Sequence, residues 1–318
     1  MRRRMLLLLG VGAAIGLGGG GTYAAFSSQA TNTNNTIASH PDWIAPPLTS
    51  HALVKDTGGV QNFVKPGGSF RVCGNVGADP GKPASGLKDV VATVGAQSSV
   101  ALTAGNAAPC TAAHTHQSAT ATATTVVPLG QTATINVVTT VRDNALNATT
   151  VTTPVVVDND PPAPVDVTTT NGGLLNKPDA GDTITFTFDE PIDPDSIADG
   201  WDGTQPRTLT VRGTSAAGGN DRLAFTLPIV AAGGFLTIRN DYVTDTVEYA
   251  SSTIVAAGSP LGTQYRVTLG TMSNTDATRP RTSTNAMAWA TTDAMWDRAG
   301  NLMPVLAFSE PGAADTEF

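Results

Sequence analysis

In the stretch DTITFTFDEP (182–191), Ile184, Phe186 and Phe188 alternate strictly with Thr183, Thr185 and Thr187. A period of two sends one set of side chains to a core and the other to water, which is the geometry of a half-buried strand. No segment of the chain sustains a helical period. Thr, Ala, Val and Gly are abundant, and the 33 glycines and 21 prolines supply turns. The expectation is an all-β fold. SFRVCGNV (69–76) alternates in the same way, with Phe70 and Val72 on one face. Further strands are expected at 89–94, 99–102, 119–127, 132–141 and 149–157. The second half adds 209–211, 225–227, 235–238, 265–269, 287–289 and 305–308, with a short helix starting near Asp195.

The clearest boundary is VVVDNDPPAPVDV (155–167). A strand ends there, Asp158-Asn159-Asp160 turns, and Pro161-Pro162 cannot donate to a ladder. The chain therefore divides into residues 1–24, a leader; 25–47, a polar arm; 48–157, a first β-sandwich; 158–163, a hinge; and 164–318, a second β-sandwich. The hinge is similar to that between tandem bacterial Ig-like domains. GDTITFTFDEPIDPDSI, together with DRAGN (297–301), resembles the Ig-like repeats of bacterial surface proteins. The resemblance implies two Ig-like sandwiches in series and says nothing of an activity.

At the N-terminus, Arg2, Arg3 and Arg4 introduce an apolar run from Met5 to Leu17, and Gly18–Gly21 close it. Spanning a bilayer takes about 20 apolar residues, and four consecutive glycines break a helix. A charged start, a short apolar core and small residues at Thr22 and Ala24 mark a secretory signal cut between Ala24 and Ala25; the competing reading is an uncleaved anchor. GGGGTYAAFSSQATNTNNTIAS resembles the leaders and mature starts handled by the SipW-type signal peptidase, the group of camelysin and the TasA-like biofilm-matrix proteins. That resemblance implies signal-peptidase processing. A secreted or cell-surface location is the expectation, and PGAADTEF at the end of the sequence, with no hydrophobic tail, leads to the expectation of no membrane attachment once cut. In an exported chain the two cysteines, Cys73 and Cys110, are expected to pair. In the chain-entropy picture, closing that loop contributes roughly 4 kcal/mol.

Residues 25–160 carry 6 Lys/Arg against 7 Asp/Glu, and residues 161–318 carry 9 against 19. Acidity of this kind disfavours nucleic acid, whose binding needs clustered Lys/Arg. It is compatible with cations. Asp158, Asn159 and Asp160 at the hinge, and Asp189, Glu190, Asp193 and Asp195 after the alternating strand, are candidate calcium ligands, since calcium takes six to eight oxygens. Neither set follows an EF-hand spacing, and no other cofactor is expected. His114 and His116 would share one side of a strand, but no third metal ligand stands out. Residues 161–318 hold no His and no Cys, and H-E-x-x-H is absent, so the expectation is a protein that is not an enzyme. Its partners would be itself, in a fibre or oligomer, or cell-surface glycans or proteins, in adhesion, spacing or assembly. The rival reading is a secreted carbohydrate-binding module or hydrolase, with Trp201 in DGWDG as an exposed stacking residue for sugar. N-terminal mass analysis of protein recovered from culture medium is expected to start at Ala25-Phe26; protein found only in the cytosol with Met1 retained would refute export.

Overall fold

The computed structural model describes residues 42–230, 234–314 and 316–318. The leader, the cut between Ala24 and Ala25, and most of the arm lie outside them. Asp42–Phe318 form one compact unit, so the last residues assigned to the arm belong with the first sandwich. The chain is all-β, in two sheet systems divided at the expected boundary.

The first system comprises β1 (Leu48–Lys55), β2 (Phe63–Val64), β3 (Ser69–Val76), β4 (Leu87–Val94), β5 (Val100–Ala104), β6 (His116–Ser118), β7 (Ala121–Thr122), β8 (Thr132–Asp143) and β9 (Ala148–Asp158). The hydrogen-bonded order is β1-β3-β6-β5-β4-β8-β9-β2, with β7 also on β3, and β2–β9 is its parallel pair. This ribbon folds over on itself. His51 of β1 reaches across to Thr139 of β8 at 2.7 Å and Thr153 of β9 at 2.6 Å. Between the layers lie Leu53, Phe70, Val72, Ala92, Val141, Val155 and Val157. Cys110, in the loop between β5 and β6, is bonded to Cys73 of β3 with Cα atoms 5.7 Å apart. The bridge clips that loop against Ala52 and Val54 of β1, as a local staple.

The second system comprises β10 (Pro164–Thr170), β11 (Thr183–Phe188), β12 (Arg207–Thr214), β13 (Arg222–Phe225), β14 (Leu236–Thr237), β15 (Val247–Ala257), β16 (Gln264–Thr268), β17 (Thr271–Met272), β18 (Ala288–Ala290) and β19 (Ala307–Ser309). A one-turn helix, α1 (Pro194–Ile197), follows β11. The strand order is β10-β11-β16-β15-β12-β13-β14-β18-β19, with β17 on β15. The threonines of β11 are half-buried while Ile184, Phe186 and Phe188 are buried, as the alternation requires. Phe186 meets Phe225 of β13 and Trp289 of β18 edge-on, at 5.8 and 5.2 Å between ring centres. Neither strand is its ladder neighbour, so this sheet also closes around its own core.

Three expectations change, the first being that no strand was expected over Leu48–Lys55, which forms β1. The strand expected over 119–127 reduces to the two residues of β7, which pairs β3 only at Ala121 and Thr122. The longest strand of the second half, β15, was not anticipated: Ser251 has φ +56° and shifts the pairing register, so the alternation changes phase midway. Truncating Phe186 to Ala is expected to cost about 3–5 kcal/mol, read as a lower urea midpoint with the disulfide intact; an unchanged midpoint would contradict the aromatic core described.

Candidate functional site

The joint between the two sandwiches gathers the unusual chemistry of the chain. Four segments meet there: the end of β1 with the turn after it, the end of β9, the DEPID segment after β11, and the DRAGN loop (297–301). The loop is drawn in by two isolated bridges, Ile192 with Asp297 and Trp296 with Leu302. Gly300 takes φ +91°, which the tight return of this loop requires.

On one side of the joint is a buried ion pair. Lys55, the last residue of β1, lies with its side chain 4 % exposed against Asp193, 1 % exposed, at 3.2 Å from Nζ to Oδ2. The ammonium also donates to the carbonyls of Val60, at 3.1 Å, and Arg298. Asp193 accepts the Val60 N–H on Oδ2 at 2.9 Å and the Asp195 N–H on Oδ1 at 3.2 Å, the latter capping α1. Gly59 is needed at its position: a Cβ there would sit 2.1 Å from Asp193 Oδ2. Asp193 thus serves the first sandwich's only deeply placed lysine among the described residues, and calcium ligation, expected for it, is replaced by the lysine.

On the other side is an uncompensated acidic group. Asp158, Glu190 and Asp297 each bring a carboxylate oxygen within 4.8 Å of the other two. Asn301 Nδ2 ties the group together, donating to Asp297 Oδ2 at 2.7 Å and to the main-chain oxygen of Asp158 at 3.0 Å. Glu190 Oε1 is buried without a hydrogen-bond partner. Burial, with Asp297, Asp158, Asp189 and Asp160 nearby, pushes the Glu190 carboxyl up to about 9. Burial likewise lifts Asp297 to about 6 against its bonds from Asn301. Such a group is discharged either by a proton on Glu190 or by a divalent cation, for which three carboxylates supply part of the oxygen shell.

The two sequence-derived calcium sets therefore converge in part. Asp158 and Glu190 come together, joined by Asp297, which sequence reasoning had not selected. Of the others, three bond the backbone through their side chains. Asp189 accepts the Ala163 N–H at 2.8 Å, Asp195 the Gly200 N–H at 2.6 Å, and Asn159 donates to the Val127 carbonyl at 2.8 Å. The Asp160 N–H is held by Asp158 Oδ1 at 2.9 Å. A second carboxylate group, Asp42, Asp79 and Asp143, closes the far side of the first sandwich. Its oxygens accept backbone N–H groups from Ser85, Gly86 and Asn147. Sequence spacing held no signal for it, since its members lie in three separate segments.

Trp201 is corrected. It is 3 % exposed, its Nε1 donates to the Gln205 carbonyl at 2.7 Å, and its ring packs on Tyr265, so no face is free to stack on a sugar. The exposed tryptophan is Trp43, at 76 %. His114 is buried in a turn and His116 opens β6, so the two rings do not share a strand face. A cleft of about 230 Å³ opens beside the ion pair, lined by Gly59, Val60, Asp193, Asp195, Gly200, Trp201 and Asp202.

No protein-family model matches the chain, and no curated protein or solved structure is significantly similar to it. The joint is accordingly interpreted from its own chemistry.

The raised carboxyls fix a pH dependence. The native state keeps a proton on Glu190 that the unfolded chain releases near the ordinary 4.5, so stability falls as pH rises from there towards about 9. Asp297 adds the same sign between 3.8 and about 6. With chelator present, the melting temperature is expected to decline across this window and Glu190→Gln to flatten the decline above pH 6; an equally steep decline in the variant would refute the assignment. Calcium titrated into chelator-stripped protein separates the two modes of discharge: heat lost in Glu190→Gln assigns a cation, and no heat assigns the proton.

Proposed function

We propose that this is an exported, non-enzymatic protein of the cell surface or extracellular matrix, which acts by contact: adhesion, spacing or assembly. The observation that carries the proposal is the joint. Lys55 and Val60 of the first sandwich are bound to Asp193 and Arg298 of the second. The Lys65 N–H is held by the Ala299 carbonyl at 3.0 Å, and Asn301 bonds the main chain at Asp158. A paired-sandwich body braced in this way transmits position and load, which is what a spacer or adhesive element requires.

The disulfide supports an oxidising, extracellular setting. Among the described residues no helix is long and apolar enough to cross a membrane. Assembly is the sharper form of the proposal. The arm beginning Ala25-Phe26 would add as a strand to a neighbouring copy, and β10 and β19 stand at the two ends of the second strand order, where such addition has room. Mature protein is expected to form higher-order species by light scattering and electron microscopy, and deletion of residues 25–39 to leave monomers. Unchanged oligomers in the deletion would refute assembly through the arm.

A further inference from the structure

The ion pair at the joint has a chemical possibility that its structural role does not use. A primary amine and a carboxyl group are held in contact, both out of solvent, with Nζ 3.2 Å from Asp193 Oδ2. Each is fixed from the far side. The nitrogen is held by the carbonyls of Val60 and Arg298, and the two carboxyl oxygens by the N–H groups of Val60 and Asp195. Holding two reactants in contact raises their effective concentration, to about 10⁵–10⁸ M where the attacking atom is aligned on the reacting carbon. Backbone N–H donors on both carboxyl oxygens are also placed to stabilise the oxyanion of a tetrahedral intermediate.

We propose that Lys55 and Asp193 condense into an intramolecular amide that joins the two sandwiches covalently. The bond formed is Nζ–Cγ, and the bond broken is one Cγ–O bond of Asp193. Of the three protons on the ammonium, two leave with that oxygen as water and one stays on the amide nitrogen. No oxidant, cofactor or second substrate is consumed. The cleft lined by Gly59, Asp193 and Asp195 lies beside the pair, and the released water would leave towards it.

The product keeps one partner on each side and releases the other. The new N–H retains the Val60 or Arg298 carbonyl as acceptor, and the new carbonyl retains the Val60 or Asp195 N–H as donor. Two charges that had been held away from water become one neutral amide, which removes the desolvation cost of the ion pair. Gly59 packs directly on the carboxyl, where a Cβ would overlap Oδ2, and so helps to hold it against the amine. The inference goes beyond the contact function: the body could space or adhere with or without the covalent joint.

The test is the mass of the full folded chain after reduction of the disulfide. Wild-type protein is expected to weigh one water less than its sequence, and digestion is expected to yield a branched peptide joining the segments around Lys55 and Asp193. Lys55→Arg keeps a cation at the site but no primary amine, and is expected to restore the full mass. A full-sequence mass for folded wild type, or a water loss that persists in Lys55→Arg, would overturn the proposal. The wild-type result stands alone should the variant fail to fold.

Discussion

The buried contact between Lys55 and Asp193 is the constraint to which the rest of the joint conforms. Removing one partner of such a pair leaves a charge without compensation in a low-dielectric setting, typically worth about 3–5 kcal/mol. The surrounding structure supplies that compensation from four places. The turn after β1 brings Val60, the cap of α1 brings the Asp195 N–H, the DRAGN loop brings Arg298, and Gly59 withholds a side chain. Three separate stretches of chain, around Val60, Asp195 and Arg298, thus converge on one ammonium and one carboxylate.

The neighbouring acidic group has the opposite problem. It holds three carboxylates within 4.8 Å, with no lysine or arginine ion-paired to any of them among the described residues. Asn301 absorbs part of the strain by donating to Asp297, and the remainder is taken by a carboxyl whose proton is held far above its ordinary range. The joint is thus charged asymmetrically, balanced on one side and in excess on the other. The excess side is where solution conditions act on it.

Pro161 and Pro162 lack N–H donors and cannot extend the β9 ladder into β10, which is why the sandwiches are separate cores. Leu53, Phe70 and Val155 define one core, and Ile184, Phe186 and Trp289 the other. A proline break on its own suggests a hinge. The contacts at Lys55, Lys65 and Asn301 instead make Asp42–Phe318 one compact body. The contact function proposed for the chain depends on that difference.

The strands were legible because their information is local. Alternation in SFRVCGNV and TITFTF states which side chains face inward whatever the remote partner is, and β3 and β11 formed where the pattern placed them. β15 was illegible because a bulge at Ser251 breaks the phase on which that reasoning rests. Trp201 was misjudged for a related reason: its glycine and aspartate neighbours have the composition of a surface turn, while its ring is covered by Tyr265, a residue from a distant strand. Lys55 follows the apolar run Ala52-Leu53-Val54 at the end of β1, and nothing within reach of it in sequence hints at Asp193, 138 positions away. The amino-acid sequence by itself determined the β class, the boundary at Asp158–Ala163 and the pairing of its two cysteines, since periodicity, proline chemistry and an even thiol count act at short range or without reference to shape. Which charges meet was decided by the tertiary structure alone, because the energy of a buried charge depends on what folding brings around it.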